Sequence, residues 1–192
     1  MNGPERPRSY RFDSVKASNV LILPGWHNSG PEHWQSRWEA AHGYTRVQQH
    51  DWARPLRGDW QIQLEEAVLA CDEPAVLVAH SLGCILVAAW AEHTQNAGRV
   101  RGALLVAPGD VARDETRALL PSWWPIARAR LPFPAILVAS RNDPRCSFEL
   151  ASELARDWGA ERVDAGHAGH INADSKLGDW PQGHALLQRL MH

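Results

Sequence analysis

Residues 75–90 read Ala-Val-Leu-Val-Ala-His-Ser-Leu-Gly-Cys-Ile-Leu-Val-Ala-Ala-Trp, two apolar runs joined by the turn His80-Ser81-Leu82-Gly83. The first run shows no alternation of polar and apolar residues, which predicts a parallel strand buried on both faces. The second run is long enough for a buried helix. Ser81 therefore stands at the apex of a strand-turn-helix, which is the local structure of a nucleophile elbow.

The turn satisfies one steric demand of such an elbow and nearly satisfies the other. Small residues are needed two before and two after the serine, because the backbone there presses on the neighbouring strand and helix. Gly83 meets the second demand, whereas Ala79 replaces the glycine of the strict motif. We expect the Leu82 N–H and the helix dipole to stabilise an oxyanion. The alternative is that Ser81 only caps the helix.

Strand-sized and helix-sized segments alternate along the rest of the chain. Predicted strands cover residues 19–23, 45–49, 75–79, 100–107, 135–140 and, weakly, 162–164. Apolar residues at helical spacing predict helices over residues 31–41, around Leu64, Val68 and Cys71, and after Ser147 as N-cap. This order predicts an α/β fold with a doubly wound, mostly parallel sheet of about six strands and helices on both faces.

Two segments depart from this alternation. Residues 1–17 are rich in Pro and Arg and have no apolar run, so we expect a loosely ordered tail rather than a signal or an anchor. Residues 109–134 hold too many prolines for one helix. They form either an irregular crossover on the sheet edge or a cap over a pocket. The length of 192 residues predicts that 1–192 fold as a single domain.

Charge and cysteine content argue against several functional classes. The 20 basic and 22 acidic residues give a net charge of −2, so we expect no nucleic-acid partner and no membrane partner. No apolar run is long enough to span a bilayer. Cys71, Cys84 and Cys146 have no CxxC spacing, which favours reduced thiols in the cytoplasm over disulfides or a zinc site.

A nucleophilic serine needs a base and an acid, which follow it in the order Ser, acid, His in this architecture. Asp143 follows the fifth predicted strand, and Asp110, after the fourth, is the alternative acid. His170 follows the last predicted strand, and His167 is the rival base. The two histidines are also half of a metal site, but no cysteine or carboxylate cluster completes it nearby, so we predict no metal.

The loop after the first strand reads Pro24-Gly-Trp-His-Asn-Ser-Gly-Pro31, and its glycine allows the Trp26 N–H to point at the same oxygen as that of Leu82. Four blocks of the sequence, the first of which contains this loop, resemble the small serine hydrolases of the retinoblastoma-binding protein 9 and YdeN type. The blocks are Leu23-Pro-Gly-Trp with Asn28-Ser-Gly-Pro-Glu-His-Trp-Gln, Val78-Ala-His-Ser-Leu-Gly, Ser140-Arg-Asn-Asp-Pro and Gly169-His-Ile-Asn with Gly178-Asp-Trp-Pro.

This resemblance covers residues 19–180, nearly the whole chain. It implies a minimal α/β-hydrolase fold in which Ser81, Asp143 and His170 match the family's triad, and it selects His170 over His167. It also implies activity on short esters, as reported for some members. We therefore predict a serine hydrolase that cleaves an acyl ester through an acyl-enzyme, without a cofactor. An amidase, thioesterase, acyltransferase or non-catalytic binding protein is the alternative.

Ten tryptophans are more than a core of this size needs. Five of them, Trp26, Trp52, Trp123, Trp124 and Trp180, follow predicted strand ends, where such sheets bind ligands. We expect the last four, with His27, to line a substrate pocket that favours an apolar or aromatic group on a small acyl substrate. The helical tryptophans are expected in the core, namely Trp34, Trp38, Trp90 and Trp158, with Trp60 undecided. The sequence does not identify a protein partner.

Overall fold

The computed structural model describes residues 15–192, which form one six-stranded sheet covered by helices. The strands are β1 Val20–Leu23, β2 Thr45–Arg46, β3 Ala75–His80, β4 Val100–Val106, β5 Ala135–Ala139 and β6 Glu161–Asp164. Their order across the sheet is β2-β1-β3-β4-β5-β6, and every neighbouring pair is parallel. The order reverses direction at β1 and β3, which confirms the predicted doubly wound sheet.

Six α-helices connect or follow the strands. They are α1 Trp34–His42, α2 Arg57–Ala70, α3 Leu82–His93, α4 Asp114–Leu119, α5 Phe148–Trp158 and α6 Pro181–Met191. The Ser147 hydroxyl accepts a hydrogen bond from the Leu150 N–H, so Ser147 caps α5 as predicted. Helix α6 was not predicted, although a proline in its first turn and two buried leucines, Leu187 and Leu190, are helix signals.

Each face of the sheet has its own apolar core. Leu21 and Leu77 point to the face covered by α2, α3 and α5. Val20 and Val78 point to the face covered by α1 and α6. Because β3 is buried along its whole length, both of its ends are fixed by packing. The carboxyl end of β3 is where Ser81 lies.

Three segment boundaries differ from the sequence prediction by more than one residue. The helix predicted over residues 31–41 begins only at Trp34, because His33 in an extended conformation is its N-cap. Predicted strand 45–49 stops at Arg46, because the chain leaves the sheet edge after the Val47 N–H bonds to the Ile22 carbonyl. Of the predicted tail, residues 1–14 lie outside the described part. Residues 15–17 are ordered rather than loose: Val15 is buried, and Lys16 Nζ lies 2.6 Å from Asp72 Oδ2.

Within residues 15–192, none of the helices combines the length and the apolarity that crossing a bilayer demands.

Candidate active site

Ser81 has the backbone conformation of a nucleophile elbow. Its φ of 54° and ψ of −116° lie in a region that non-glycine residues avoid. The Ser81 N–H donates to the Val106 carbonyl at 3.0 Å, and the Ser81 carbonyl accepts from the Cys84 N–H at 3.0 Å. The hydroxyl makes no capping hydrogen bond to α3, so Ser81 is not a simple helix cap.

Close packing of backbone around the elbow explains its small residues. A Cβ on Gly83 would overlap the Leu23 carbonyl oxygen, and a Cβ on Gly25 would lie 2.8 Å from that of Ser81. Glycine is therefore required at both positions. The departure at Ala79 is accommodated, because its methyl is fully buried in β3 within the apolar core.

Ser81, His170 and Asp143 are joined by hydrogen bonds. The Ser81 hydroxyl lies 2.9 Å from His170 Nε2. His170 Nδ1 lies 2.9 Å and 3.0 Å from the two carboxylate oxygens of Asp143. The side chain of Asp143 is 3% exposed and that of His170 is 12% exposed, so both are largely shielded from water. The Asp143 carboxylate also accepts the Arg145 N–H at 2.7 Å, which fixes its orientation.

The rival acid and the rival base are placed elsewhere. Asp110 accepts the Ala112 N–H at 3.0 Å and pairs with Arg113 Nε at 3.3 Å. His167 is exposed and does not line the cavity described below. The strand order explains why Asp143 meets His170: β5 and β6 are neighbours, so the loops that follow them lie side by side.

A cavity of about 380 Å³ opens over Ser81 and His170. Trp26 and Leu82, the two predicted oxyanion donors, both line it. Among the described residues, neither backbone N–H has a hydrogen-bond acceptor, so both are free to bind a ligand oxygen. The turn closed by the Asn28 N–H and the Gly25 carbonyl brings this loop against the elbow, where a Cβ on Gly25 would lie 3.4 Å from Leu82 N.

Of the five residues predicted to line the substrate pocket, only His27 does so. His27 lines the cavity and stacks on Trp26 with ring centroids 4.6 Å apart. The four other predicted residues, Trp52, Trp123, Trp124 and Trp180, do not line it. The prediction that these four form the pocket is therefore wrong, and the expected preference for an apolar or aromatic group loses its basis.

Each of these four tryptophans has a structural reason to be elsewhere. Trp123 is fully buried and donates its Nε1–H to the Pro55 carbonyl at 2.9 Å, and Trp52 packs on Trp60 in the same core. Trp180 packs against α1 on the opposite face of the sheet. Trp124 is exposed beneath the Arg117 guanidinium. The helical tryptophans and Trp60 are buried in the core.

The two halves of the segment 109–134 lie in different surroundings. Its first half, which includes α4, contributes cavity-lining residues, namely Gly109, Asp110, Val111, Thr116 and Leu120. In its second half, Leu131 and Phe133 are buried in the core that includes residues of α2, α3 and α5. The segment is therefore a wall of the cavity at its start and a packed crossover at its end.

Sequence reasoning missed several polar cavity residues, namely Asn28, His33, His80, Thr116, Arg145 and Asn172. The amide oxygen of Asn28 accepts bonds from the Ser29 N–H and from Arg46, and that of Asn172 accepts the Asp174 N–H. Both amides are thereby oriented by backbone donors. The signal available in the sequence was position, since most of these residues follow strand ends.

Gln35 and Arg46 brace the loop that carries Trp26. The fully buried Gln35 donates to the carbonyls of Leu23 and Val78, and so ties β1 to β3 beside the elbow. Arg46 donates to Asn28 Oδ1 at 2.6 Å and to the Ser29 carbonyl at 2.9 Å, and it pairs with Glu39. Buried, satisfied networks of this kind hold a loop in one conformation.

Two further imidazoles lie beside His170, and both are held neutral. His33 contacts His80 edge to face at 4.7 Å, and His80 lies 4.9 Å from His170. Burial, with Arg46 nearby, lowers the pKa of His33 to about 3, and burial lowers the pKa of His80 well below its ordinary value. The His33 Nδ1 accepts the Gln35 N–H at 3.2 Å, so its proton is on Nε2.

The neutral state of His33 predicts acid sensitivity. Unfolded His33 binds a proton below pH 6.5 but folded His33 does not until about pH 3, so stability falls as pH decreases through this window. By pH 5 we expect a loss of about 2 kcal/mol from this group. His33→Asn keeps a capping acceptor without a titrating ring, and should reduce the loss measured by urea unfolding at pH 7 and pH 5. His50→Asn, at an exposed side chain, should not reduce it.

Comparisons with known proteins identify the family and the fold of the chain. The serine hydrolase family model matches residues 20–189. A YdeN-like hydrolase from Pectobacterium atrosepticum is 31% identical over 90% of both chains, with a TM-score of 0.79. The ydeN gene product of B. subtilis is 22% identical over 90% of this chain and 98% of its own, with a TM-score of 0.72. No curated protein sequence matches.

The fold extends to more distant proteins, such as an esterase from a Rhodococcus species, which is 13% identical over 92% of this chain and 93% of its own, with a TM-score of 0.62. At that identity the likeness concerns the fold alone. The family match, by contrast, spans nearly all of the described residues. The chain therefore belongs to the serine hydrolase family and has the α/β-hydrolase fold of the small YdeN-type hydrolases.

Proposed function

We propose that this serine hydrolase cleaves small carboxylic esters, with Ser81 as nucleophile, His170 as general base and Asp143 as the residue that orients His170. The hydrogen-bonded chain from Ser81 through His170 to Asp143, whose first two members line an open cavity, carries this proposal. Each distance is within the range for proton transfer or orientation.

The proposed reaction has two half-reactions. In acylation, Ser81 Oγ bonds to the acyl carbon, the ester C–O bond breaks, and the serine proton passes through His170 Nε2 to the leaving alcohol. In deacylation, a water oxygen bonds to the acyl carbon and the bond between the acyl carbon and Ser81 Oγ breaks. The water proton returns through His170 to Ser81, and the carboxylic acid is released.

The oxyanion of each tetrahedral intermediate would be bound by the backbone N–H groups of Leu82 and Trp26. Both residues line the cavity, and the Leu82 N–H is also at the positive end of the α3 dipole. Two fixed donors supply charge stabilisation without reorganisation during the reaction. Removal of one such donor typically lowers kcat by about 10²- to 10³-fold in serine hydrolases.

The cavity supports a small substrate. Its volume of about 380 Å³ is at the low end of the range for ligand pockets. Esterases are among the proteins that share this fold, including the Rhodococcus enzyme, which favours an ester as the first substrate class to test. The free thiols Cys71, Cys84 and Cys146 are all buried, and they support our proposal of a reducing, cytoplasmic location.

A fluorophosphonate probe and a substrate panel test the proposal. We expect the probe to modify Ser81, as located by peptide mapping, and p-nitrophenyl acetate and butyrate to be hydrolysed faster than the matched anilides and thioesters. Faster cleavage of an anilide or a thioester would assign an amidase or a thioesterase with the same triad. Folded protein that neither reacts with the probe nor cleaves any of these compounds would indicate a binding protein instead.

A further inference from the structure

We propose that His80 and Trp34 are positioning residues that together hold the His170 peptide, and with it the imidazole, in line with Ser81; the proposal rests on the proposed function. His80 is the residue before Ser81 at the end of β3, and Trp34 begins α1. We call the two side chains the clamp.

Each side chain of the clamp donates one hydrogen bond, and the two acceptors are successive carbonyl groups. His80 Nε2–H donates to the carbonyl of His170 at 2.9 Å. Trp34 Nε1–H donates to the carbonyl of Ile171 at 2.8 Å. Both donors and Ile171 are buried, so water does not compete for these bonds. Two rings from different elements therefore fix the backbone on which His170 is carried.

The backbone around His170 is in a strained conformation that needs surrounding contacts to persist. Ile171 has a φ of 48°, although a β-branched residue is a genuine outlier at positive φ. Gly169, on the other side of His170, also has a positive φ of 60°. Such conformations persist only where surrounding contacts over-determine them. The two clamp bonds lie at this strained point and supply that constraint.

The charge state of His80 suits a donor at this position. A carbonyl accepts hydrogen bonds only, so the proton of neutral His80 is on Nε2. Burial keeps His80 uncharged, and the neutral His33 packs against its other edge. Neither of these two imidazoles therefore carries a positive charge that would oppose the imidazolium that forms on His170 during catalysis. His80 also joins the two reacting residues, because it precedes Ser81 and bonds to His170.

Trp34 and Trp38 offer a matched pair of variants. Each is buried in the same aromatic cluster with Trp180, and each donates one indole hydrogen bond to a backbone carbonyl. Trp34 bonds to Ile171, next to His170, whereas Trp38 bonds to Asp179, outside the cavity. Phe at either position removes one N–H and a similar volume.

We expect Trp34→Phe to lower kcat for p-nitrophenyl acetate about 10-fold or more with KM within twofold, since a small displacement of a catalytic group costs up to about 100-fold. Trp38→Phe should keep kcat within twofold. His80→Phe should lower kcat as Trp34→Phe does, and His80→Gln, which restores an N–H near the Nε2 position, should recover most of it. Equal kcat losses in the two Trp variants, no loss in either, or failure of His80→Gln to recover kcat would overturn the clamp.

A measurement without turnover separates the clamp from the proposed function. Native-state hydrogen exchange should show faster exchange of the amides of residues 169–172 in Trp34→Phe than in Trp38→Phe. If wild-type protein does not hydrolyse esters, the proposed function is contradicted, and the difference in exchange between the two variants alone tests the clamp. If wild-type protein is active but exchange and kcat are the same in both variants, the clamp fails and the function stands.

Discussion

Ser81→Ala should lower kcat/KM for p-nitrophenyl butyrate by about 10⁴- to 10⁶-fold and abolish labelling by a fluorophosphonate. Loss of the nucleophile in a serine hydrolase leaves only binding and oxyanion stabilisation, which supply a small residual rate. The protein should remain folded, because the Ser81 hydroxyl bonds to His170 and does not cap α3. Steady-state assays at high enzyme concentration measure the rate, and gel fluorescence measures the labelling.

Ser81→Gly provides the control for the elbow. It should be as inactive as Ser81→Ala, yet more stable by about 1 kcal/mol or more, since glycine adopts a φ of 54° without strain. Urea unfolding of the two variants gives this difference directly. Persistent labelling of Ser81→Ala would contradict the assignment of Ser81, and equal stability of the two variants would contradict the strain at the elbow.

The sequence predicts the sheet and the candidate triad because both depend on local patterns. The unbroken apolar runs of β3 and β5 are visible as burial on two faces, and Ser81 is the turn between a strand and a helix. Asp143 and His170 follow strands that are neighbours in a sequentially built sheet edge. Chain order alone therefore places the three side chains at the same edge.

The pocket could not be predicted in the same way, because the direction of a side chain in an irregular segment has no local pattern. Trp123 and Trp124 are adjacent in sequence, yet Trp123 is fully buried and Trp124 is 46% exposed. Position after a strand places a residue at the correct end of the sheet but does not say which way it points. The predicted preference of the pocket for an apolar or aromatic substrate group depended on the direction of these side chains, and so that prediction was wrong. The contact between Ser81, His170 and Asp143 did not depend on it.

The contacts that hold the loops are also non-local. His80 and His170 are 90 residues apart, and Trp34 and Ile171 are 137 apart. The sequence gives no reason to pair a histidine of the elbow with a carbonyl of the last loop. It shows the order of the reacting residues, but only the folded chain shows how their backbone is fixed.

Asp143→Asn should lower kcat about 10⁴-fold and leave KM nearly unchanged. The carboxylate accepts the His170 Nδ1–H through two oxygens at 2.9 and 3.0 Å, which leaves Nε2 unprotonated toward Ser81. An amide can turn its NH₂ toward Nδ1 and so stabilise the opposite tautomer, in which Nε2 carries the proton and cannot act as a base. The backbone N–H of Arg145 still has the amide oxygen as acceptor, so the loop should fold.

Asp110→Asn is the matched control, because Asp110 follows the neighbouring strand and lines the cavity over Ser81 and His170. Its carboxylate binds Arg113 and the Ala112 N–H and makes no contact with His170, so kcat should change by less than about threefold. Steady-state kinetics of both variants on one ester, with fluorophosphonate labelling rates, give the comparison. A greater loss in Asp110→Asn would transfer the orienting role to Asp110. Equal small losses would mean that His170 acts without a carboxylate partner, because packing and the backbone bonds of its loop would then be enough to hold the imidazole.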